Sequence, residues 1–330
     1  MNFCGIDVSA HELVVALRSA HHDLPQQTFP NTASGHRCLL AWLRRHGSPL
    51  RVSLEASGVY SLDLALFLAQ SAELELAVVN PNLIRRFAES LDERSKDDPL
   101  DARVLLEYTA RMPFRGWLPP SPTLLAVRDI TRHLLATTEL RTATRNRLHA
   151  ARSTRSTPAC VRHELERSLR QIEASRLRLQ RQARALVAQD PTLEPQFQLL
   201  LTVPGIAQLS ALQVLAEVGM LGDRKVRQWV KHAGLDVRHY SSGSSVRRLP
   251  HLSKCGNRYL RRALFMPALV ASRFDPSLRA FYQHLLARGK RKRQALAARM
   301  RQLLHAIFGM FRHLQPYQGE LLCPVLPQAA

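Results

Sequence analysis

The sequence predicts an α/β amino-terminal domain, a helical coiled-coil arm and a mainly α carboxy-terminal domain. Three observations lead there. Short apolar, strand-like runs alternate with Leu- and Ala-rich helical runs as far as Arg111. A stretch with four prolines follows, and beyond it apolar residues recur at 4-3 spacing. The remainder is dominated by helical periodicity, broken once by a serine-glycine stretch.

Residues 2–8 and 12–18 read as strands joined by a turn near Ser9-Ala10, with a third short strand at Gln26–Phe29. Ala33–Arg45 is helical, with Leu39, Leu40 and Leu43 on one face. Arg51–Glu55 is a strand, Tyr60–Gln70 a helix, and Leu74–Val79 a strand stopped by Asn80-Pro81. A short helix, Asn82–Ser90, and a charged loop, Leu91–Asp97, precede the helix Pro99–Arg111, whose first turn suits a proline. This βββαβαβα order resembles the ribonuclease-H-like arrangement, which carries acidic residues in strand one and at the end of strand four. Asp7 and Glu55 fall at those places.

Pro113–Thr123 reads as a linker. Two long helices follow, broken at Ser153–Ala159. In the second, Leu165, Leu169, Ile172, Arg176, Leu179, Ala183 and Leu186 hold the coiled-coil period, with Arg176 the one poor position. An antiparallel hairpin or an arm between subunits is expected. Beyond Asp190-Pro191, Val203-Pro204-Gly205-Ile206 between two helices resembles a helix-hairpin-helix, which would offer backbone N–H groups to a phosphate; a plain helical turn fits equally well. Tyr240–Ser245 reads as a loop, and helices fill most of Gly256–Leu314. The expected domains are 1–115, 116–190 and 191–330.

The 330 residues allow two or three domains with real cores. Net charge is +21, unevenly spread. Residues 1–115 hold 12 Lys and Arg against 14 Asp and Glu, whereas residues 116–330 hold 35 against 12. A polyanion is the expected partner of the second part. The five cysteines are dispersed, without zinc spacing, and fit a reducing cytosol; Cys4 reads as a small core residue. No signal peptide or membrane-spanning run is evident.

Four carboxylates carry the first chemical signal: Asp7, Glu55, Asp98 and Asp101. An acid in an apolar strand is costly unless a cation compensates it. Singly, each is more simply a cap or surface charge, Asp98 above all. Together, in this element order, they read as hard oxygen ligands for a divalent metal. An acidic metal site on a basic protein points to phosphodiester chemistry.

A second constellation surrounds Ser241, Ser242, Ser244 and Ser245, with Arg238, His239, Arg247, Arg248 and Lys254 close in sequence. Cations beside a hydroxyl can hold a phosphate under attack. A phosphate-binding loop with no covalent role fits the same residues. The arginines of the long helices, among them Arg141, Arg145, Arg147, Arg152, Arg178, Arg181 and Arg184, have few acids to pair with and suit nucleic acid. Arg258, Arg261 and Arg262 add a basic helix start.

Six motifs in one order then carry a resemblance: Gly5-Ile6-Asp7-Val8-Ser9, Leu54-Glu55-Ala56-Ser57-Gly58-Val59-Tyr60, Val79-Asn80-Pro81, Lys96-Asp97-Asp98-Pro99-Leu100-Asp101-Ala102-Arg103, Pro204-Gly205-Ile206 and Ser242-Gly243-Ser244-Ser245-Val246-Arg247. Ser253-Lys254-Cys255-Gly256-Asn257 and Leu260-Arg261-Arg262-Ala263-Leu264 continue it. Over nearly its whole length the chain resembles a DEDD transposase of the IS-one-ten family of bacterial insertion sequences. The resemblance implies a RuvC-like domain, a coiled-coil arm and a transposase domain. It implies recombination guided by a structured bridge RNA that pairs with donor and target DNA. It also implies that a serine attacks the DNA phosphate near carboxylate-bound Mg2+. Carried over, the acids are Asp7, Glu55, Asp98 and Asp101, and the serine is Ser242. Ser241 beside it and Pro99 between the last two aspartates depart from the family pattern.

Expected partners are therefore bridge RNA, donor and target DNA, and further copies of the chain as a dimer of dimers, with no membrane. The expected location is the cytoplasm, at the nucleoid. A RuvC-like nuclease or Holliday-junction resolvase using metal-activated water is the alternative and would not need Ser242. A non-catalytic RNA-binding scaffold would leave Asp7 and Glu55 without purpose.

Overall fold

The computed structural model describes residues 1–19, 22–56, 58, 60–91, 98–222, 224–242 and 246–321, with backbone alone at 98, 99, 241, 242 and 246–249. The chain forms two compact units, Met1–Pro119 and Pro120–Ala330.

The first unit is built on one mixed sheet. β1 (Asn2–Val8), β2 (Glu12–Ser19), β3 (His22–Asp23) and β4 (Gln27–Pro30) precede α1 (Ala33–Arg44). Then come β5 (Leu50–Glu55), α2 (Leu62–Leu68), β6 (Leu74–Val79), α3 (Pro81–Ser90) and α4 (Asp98–Arg111). Within this unit the two-residue β3 is a strand the sequence does not announce. Strand order is β3-β2-β1-β5-β6, with β4 also on β2. β1 and β2 are antiparallel, while β1–β5 and β5–β6 are parallel. This is the ribonuclease-H-like order the sequence predicts.

Alternation along β1 and β5 assigns the faces. Cys4, Ile6 and Val8, with Leu50, Val52 and Leu54, enter a core closed by Leu39 and Leu43 of α1 and Leu64 and Leu68 of α2. Burial there pushes the Cys4 thiol pKa well up, so it remains a neutral core residue. The opposite face takes α4. Gly5 permits that approach: a Cβ there would run into the backbone of Ala102, Leu105 and Leu106.

The second unit opens with α5 (Pro122–Ser153) and α6 (Ala159–Gln189), an antiparallel hairpin. Its direction is fixed by ion pairs Arg152–Glu166 at 2.7 Å and Arg141–Glu173 at 3.4 Å. Leu165, Leu169, Ile172 and Leu179 are half-buried. Arg176, the poor position, is half-buried too. Its Nε has no hydrogen-bond partner among the described residues, and burial, reinforced by nearby Arg141, lowers its pKa. The hairpin root is different: Leu124, Val127, Ala183 and Val187 belong to the core of the carboxy-terminal helices.

Those helices are α7 (Leu193–Leu201), α8 (Gln208–Val218), α9 (Val226–Ala233), α10 (Arg258–Phe274), α11 (Pro276–Ala287) and α12 (Lys292–His313). The Pro204-Gly205 turn between α7 and α8 is a packed connection. Val203 and Ile206 are buried, and Gly205 abuts Val270 and Pro267 of α10. One expectation is corrected. The segment around Tyr240 is no simple loop: β7 (Val237–Ser242) and β8 (Val246–Leu252) form an antiparallel hairpin within the helical unit.

Candidate functional site

In the first unit, the register of β1 on β5 ends at Ile6 opposite Leu54. The next residues along the two parallel strands are Asp7 and Glu55. Neighbouring strands lie about 4.8 Å apart. Both positions share the sheet face of Gly5 and Ser53, the face covered by α4, and both are half-buried.

The direction of α4 follows from two contacts. Glu107, late in the helix, accepts from Arg18 at 2.6 Å, and Arg18 lies opposite Phe3 near the start of β1. Ala102, early in the helix, covers Gly5. α4 therefore runs against β1, and its first turn, Asp98–Asp101, lies toward the strand ends that carry Asp7 and Glu55. The strand positions of Asp7 and Glu55 and the first turn of α4 thus lie toward one end of one sheet face. Asp101 is half-buried, whereas the Asp98 side chain lies outside the described residues. Among the described residues no three His, Cys, Asp or Glu side chains form a group compact enough to hold a metal. The donor chemistry fits a hard divalent cation, since the residues supply carboxylate oxygen and no sulfur or imidazole.

The second unit presents the serine hairpin. Ser242, backbone-paired with Val246, is the last residue of β7; Ser241 pairs with Arg247 and Tyr240 with Arg248. The tip, Gly243 to Ser245, lies outside the described residues, as do the side chains of Ser241, Ser242, Arg247 and Arg248. The base of the hairpin is firmly stitched. Ser253 N–H donates to Asp236 at 2.9 Å, Lys254 N–H to Gly234 at 3.2 Å and Asn257 N–H to His232 at 2.6 Å. The Ser253 hydroxyl donates to the Asp236 carboxylate. Gly256 has φ +137°, and a Cβ there would meet the His232 carbonyl. Arg238 reaches the Cys255 sulfur at 3.2 Å, and Lys254 is exposed beside it.

Behind that loop lies a buried polar network for which no sequence motif prepares. Glu217, 2% exposed, accepts a bidentate pair from Arg132 at 2.7 and 2.9 Å. It also accepts from Asn257 Nδ2 at 2.5 Å. Asn257 Oδ1 caps α10 by accepting from Tyr259 and Leu260 N–H. Its Nδ2 also lies 3.2 Å from His232 Nε2. Burial, with Arg224 nearby, pushes the His232 pKa down, which keeps the ring neutral and able to accept. The Arg132 guanidinium lies over the Tyr259 ring at 4.4 Å. The network ties α5, α8, α9 and α10 to the loop that closes the serine hairpin. Its one signal in the sequence is an acid, Glu217, in the otherwise apolar run Val214–Val218.

The arginines divide. Arg141, Arg152 and Arg184 are ion-paired to Glu173, Glu166 and Glu194. That corrects the expectation that acids are too few to engage them: the partners lie across the helical hairpin and at the start of α7. Arg145, Arg147, Arg178 and Arg181 are exposed, without a carboxylate partner among the described residues.

Comparison with known proteins adds independent findings. A family model for DEDD transposases of the IS110 type, described as a transposase, matches residues 4–153. A second, described as the transposase IS116/IS110/IS902 family, matches residues 197–283. The chain is similar to the "Pilin gene-inverting protein" of Moraxella bovis, 31% identical over 97% of this chain and 98% of that protein. It is 30% identical, over the same shares, to the protein of that name from Moraxella lacunata. An "Insertion element IS110 uncharacterized 43.6 kDa protein" of Streptomyces coelicolor is 32% identical over 48% of this chain and 38% of that protein. Among the described residues no helix is long and apolar enough to cross a membrane.

Proposed function

The chain belongs to the IS110 family of transposases, enzymes of DNA transposition and recombination, and from that premise we propose that it cuts and rejoins DNA through a covalent bond to Ser242. The observation that supports the reading is that Asp7 and Glu55 follow the paired residues Ile6 and Leu54 on the sheet face that α4 covers, in a unit with ribonuclease-H-like strand order. Asp7, Glu55, Asp98 and Asp101 would hold Mg2+. When bound, the ion would polarise the phosphate and offset charge on the attacking and leaving oxygens.

Ser242 supports the covalent step by its position, ending β7 at the tip of a hairpin whose base is hydrogen-bonded throughout. Its Oγ attacks phosphorus and loses its proton. The P–O bond to the departing deoxyribose oxygen breaks, and that oxygen takes a proton. The new serine phosphodiester retains the energy of the broken bond, so the reverse step rejoins DNA without ATP. Arg238, Arg247, Arg248 and Lys254 supply positive charge for the phosphate. The relatives named for inverting a pilin gene support rejoining rather than cleavage alone, because inversion requires both ends of a segment to be cut and resealed.

The functional parts in this reading are residues 1–115, 116–190 and 191–330. The middle part acts as a coiled-coil arm that engages bridge RNA or another subunit, with Arg145 free to contact the polyanion and Arg141 shared with Glu173. Guidance by bridge RNA would leave little base reading to the protein. Two DNA partners require several active sites, hence a dimer of dimers, working at the nucleoid in the cytoplasm.

The deciding experiment incubates full-length protein with its DNA and traps covalent adducts under denaturing conditions. Ser242→Ala is expected to abolish the adduct while binding persists, whereas Ser241→Ala keeps it. Strand cleavage that survives both changes and still needs Asp7 would replace this reading with a water-using resolvase.

A further inference from the structure

A groove of about 590 Å³ runs along the base of the serine hairpin, between β7, β8 and α12. Its floor is apolar: Leu235, Val237, Leu252, Leu285 and Ala298. Its rim is cationic: Lys254, Lys290, Arg293 and Arg301. All four rim residues are exposed, and none has a carboxylate partner among the described residues. An apolar floor under unpaired cations asks for a ligand with both faces.

Duplex nucleic acid fits poorly, because pairing and stacking cover its base faces and leave phosphates to meet the floor. An unpaired strand fits. Its phosphates reach the rim while its sugars and base faces lie on the floor. The floor also discriminates between sugars. A ribose 2′-hydroxyl pressed on Leu and Ala would lose water without gaining a partner, and a deoxyribose carbon would not.

We propose that this groove, at the base of the β7–β8 hairpin, holds an unpaired DNA segment on the side of the molecule from which β7 runs to Ser242. The proposal rests on the reading of Ser242 as nucleophile for its purpose, but the groove's preference for a single deoxy strand is testable without that reading. Val237 of β7 and Pro250 to Leu252 of β8 line the groove at the base of the hairpin, and β7 runs from there to Ser242.

Full-length Ser242→Ala protein, which cannot form an adduct in the proposed reading, is titrated with fluorescent oligo(dT), oligo(U) and a random duplex over a series of salt concentrations. The Lys290→Ala/Arg293→Ala/Arg301→Ala variant is compared with its parent. Because each side chain is exposed, the fold should persist, as circular dichroism would show. Oligo(dT) affinity should fall about tenfold or more. The slope of log affinity against log salt should shrink by about 2, at ~0.7 for each phosphate that the rim no longer neutralises. Duplex affinity should change less than oligo(dT) affinity. Ala298→Leu, which fills the floor without altering charge, should also weaken oligo(dT).

Unchanged oligo(dT) binding and slope in the rim variant would overturn the proposal. So would equal losses for oligo(dT) and duplex, or tighter binding of oligo(U) than of oligo(dT). A lower oligomeric mass by light scattering with unchanged oligo(dT) binding would assign the face to a subunit contact instead. The Ser242 reading is judged separately, by adduct formation in protein with the groove intact.

Discussion

Glu217 is a carboxylate shut inside helices, and three groups decide whether it belongs there. Arg132 compensates its charge, Asn257 occupies a lone pair, and Tyr259 receives the face of the same guanidinium. Breaking a buried pair leaves the other member uncompensated, at about 3–5 kcal/mol, less where one partner meets water. Arg132 is 33% exposed. Glu217→Gln should therefore destabilise the protein by about 2–4 kcal/mol, read as a shift of the urea midpoint at constant slope. A double change, Glu217→Gln with Arg132→Met, should recover part of that loss. A midpoint shift below about 0.5 kcal/mol, the range of ordinary surface substitutions, would show the network to be incidental.

Elements, rather than single residues, set where the first turn of α4 lies relative to Asp7 and Glu55. α4 lies against β1 because Gly5 presents no side chain, while Ala102, Leu106, Val14, Ala16 and Phe3 close the seam. Arg18 clamps the far end by donating to Asp23 at 2.5 Å and to Glu107 at 2.6 Å. Both bonds push its pKa further up, so the clamp stays charged. Gly5→Ala must lift α4 or tilt it. Overpacking of this kind costs about 1–3 kcal/mol. The larger effect should be on chemistry, because the first turn of α4 would move relative to Asp7 and Glu55. Strand cleavage should fall by tenfold or more at a temperature where the variant remains fully folded by circular dichroism. Cleavage within twofold of wild type would mean that α4 does not position the acids.

At the scale of the whole molecule, charge is sorted by sequence position. The first 115 residues are nearly neutral and the remainder carries the excess. Part of that excess is consumed internally, as with Arg132, Arg152 and Arg184. What remains outward on the long hairpin includes Arg145, Arg147, Arg178 and Arg181. Each phosphate that a cation neutralises releases counterions and adds ~0.7–0.9 to the salt slope. Changing these four arginines to Gln should lower the slope for structured RNA or duplex DNA by about 2–4 without altering the melting temperature. An unchanged slope would move the polyanion surface off the hairpin.

The sequence by itself determined the order of strands and helices from Asn2 to Gln189, apart from the two-residue β3, because periodicity is local and each element buries a face its own residues define. It also determined that Asp7 and Glu55 stand at strand positions where an acid demands compensation. Tertiary structure decided the rest. The β7–β8 hairpin escaped notice because Arg238-His239-Tyr240-Ser241-Ser242 lacks apolar alternation, and Pro250 interrupts the second strand; its pairing is fixed by the partner strand and the stitched base. Arg132, Glu217 and Asn257 lie 85 and 40 residues apart in steps, beyond any motif, and only helix packing makes them one network. Likewise the apolar floor and cationic rim beside the hairpin come from residues spread from Leu235 to Arg301, which line one groove only in the folded chain. Local pattern selects elements, whereas burial of charge and the assembly of a site depend on which surfaces those elements bring together.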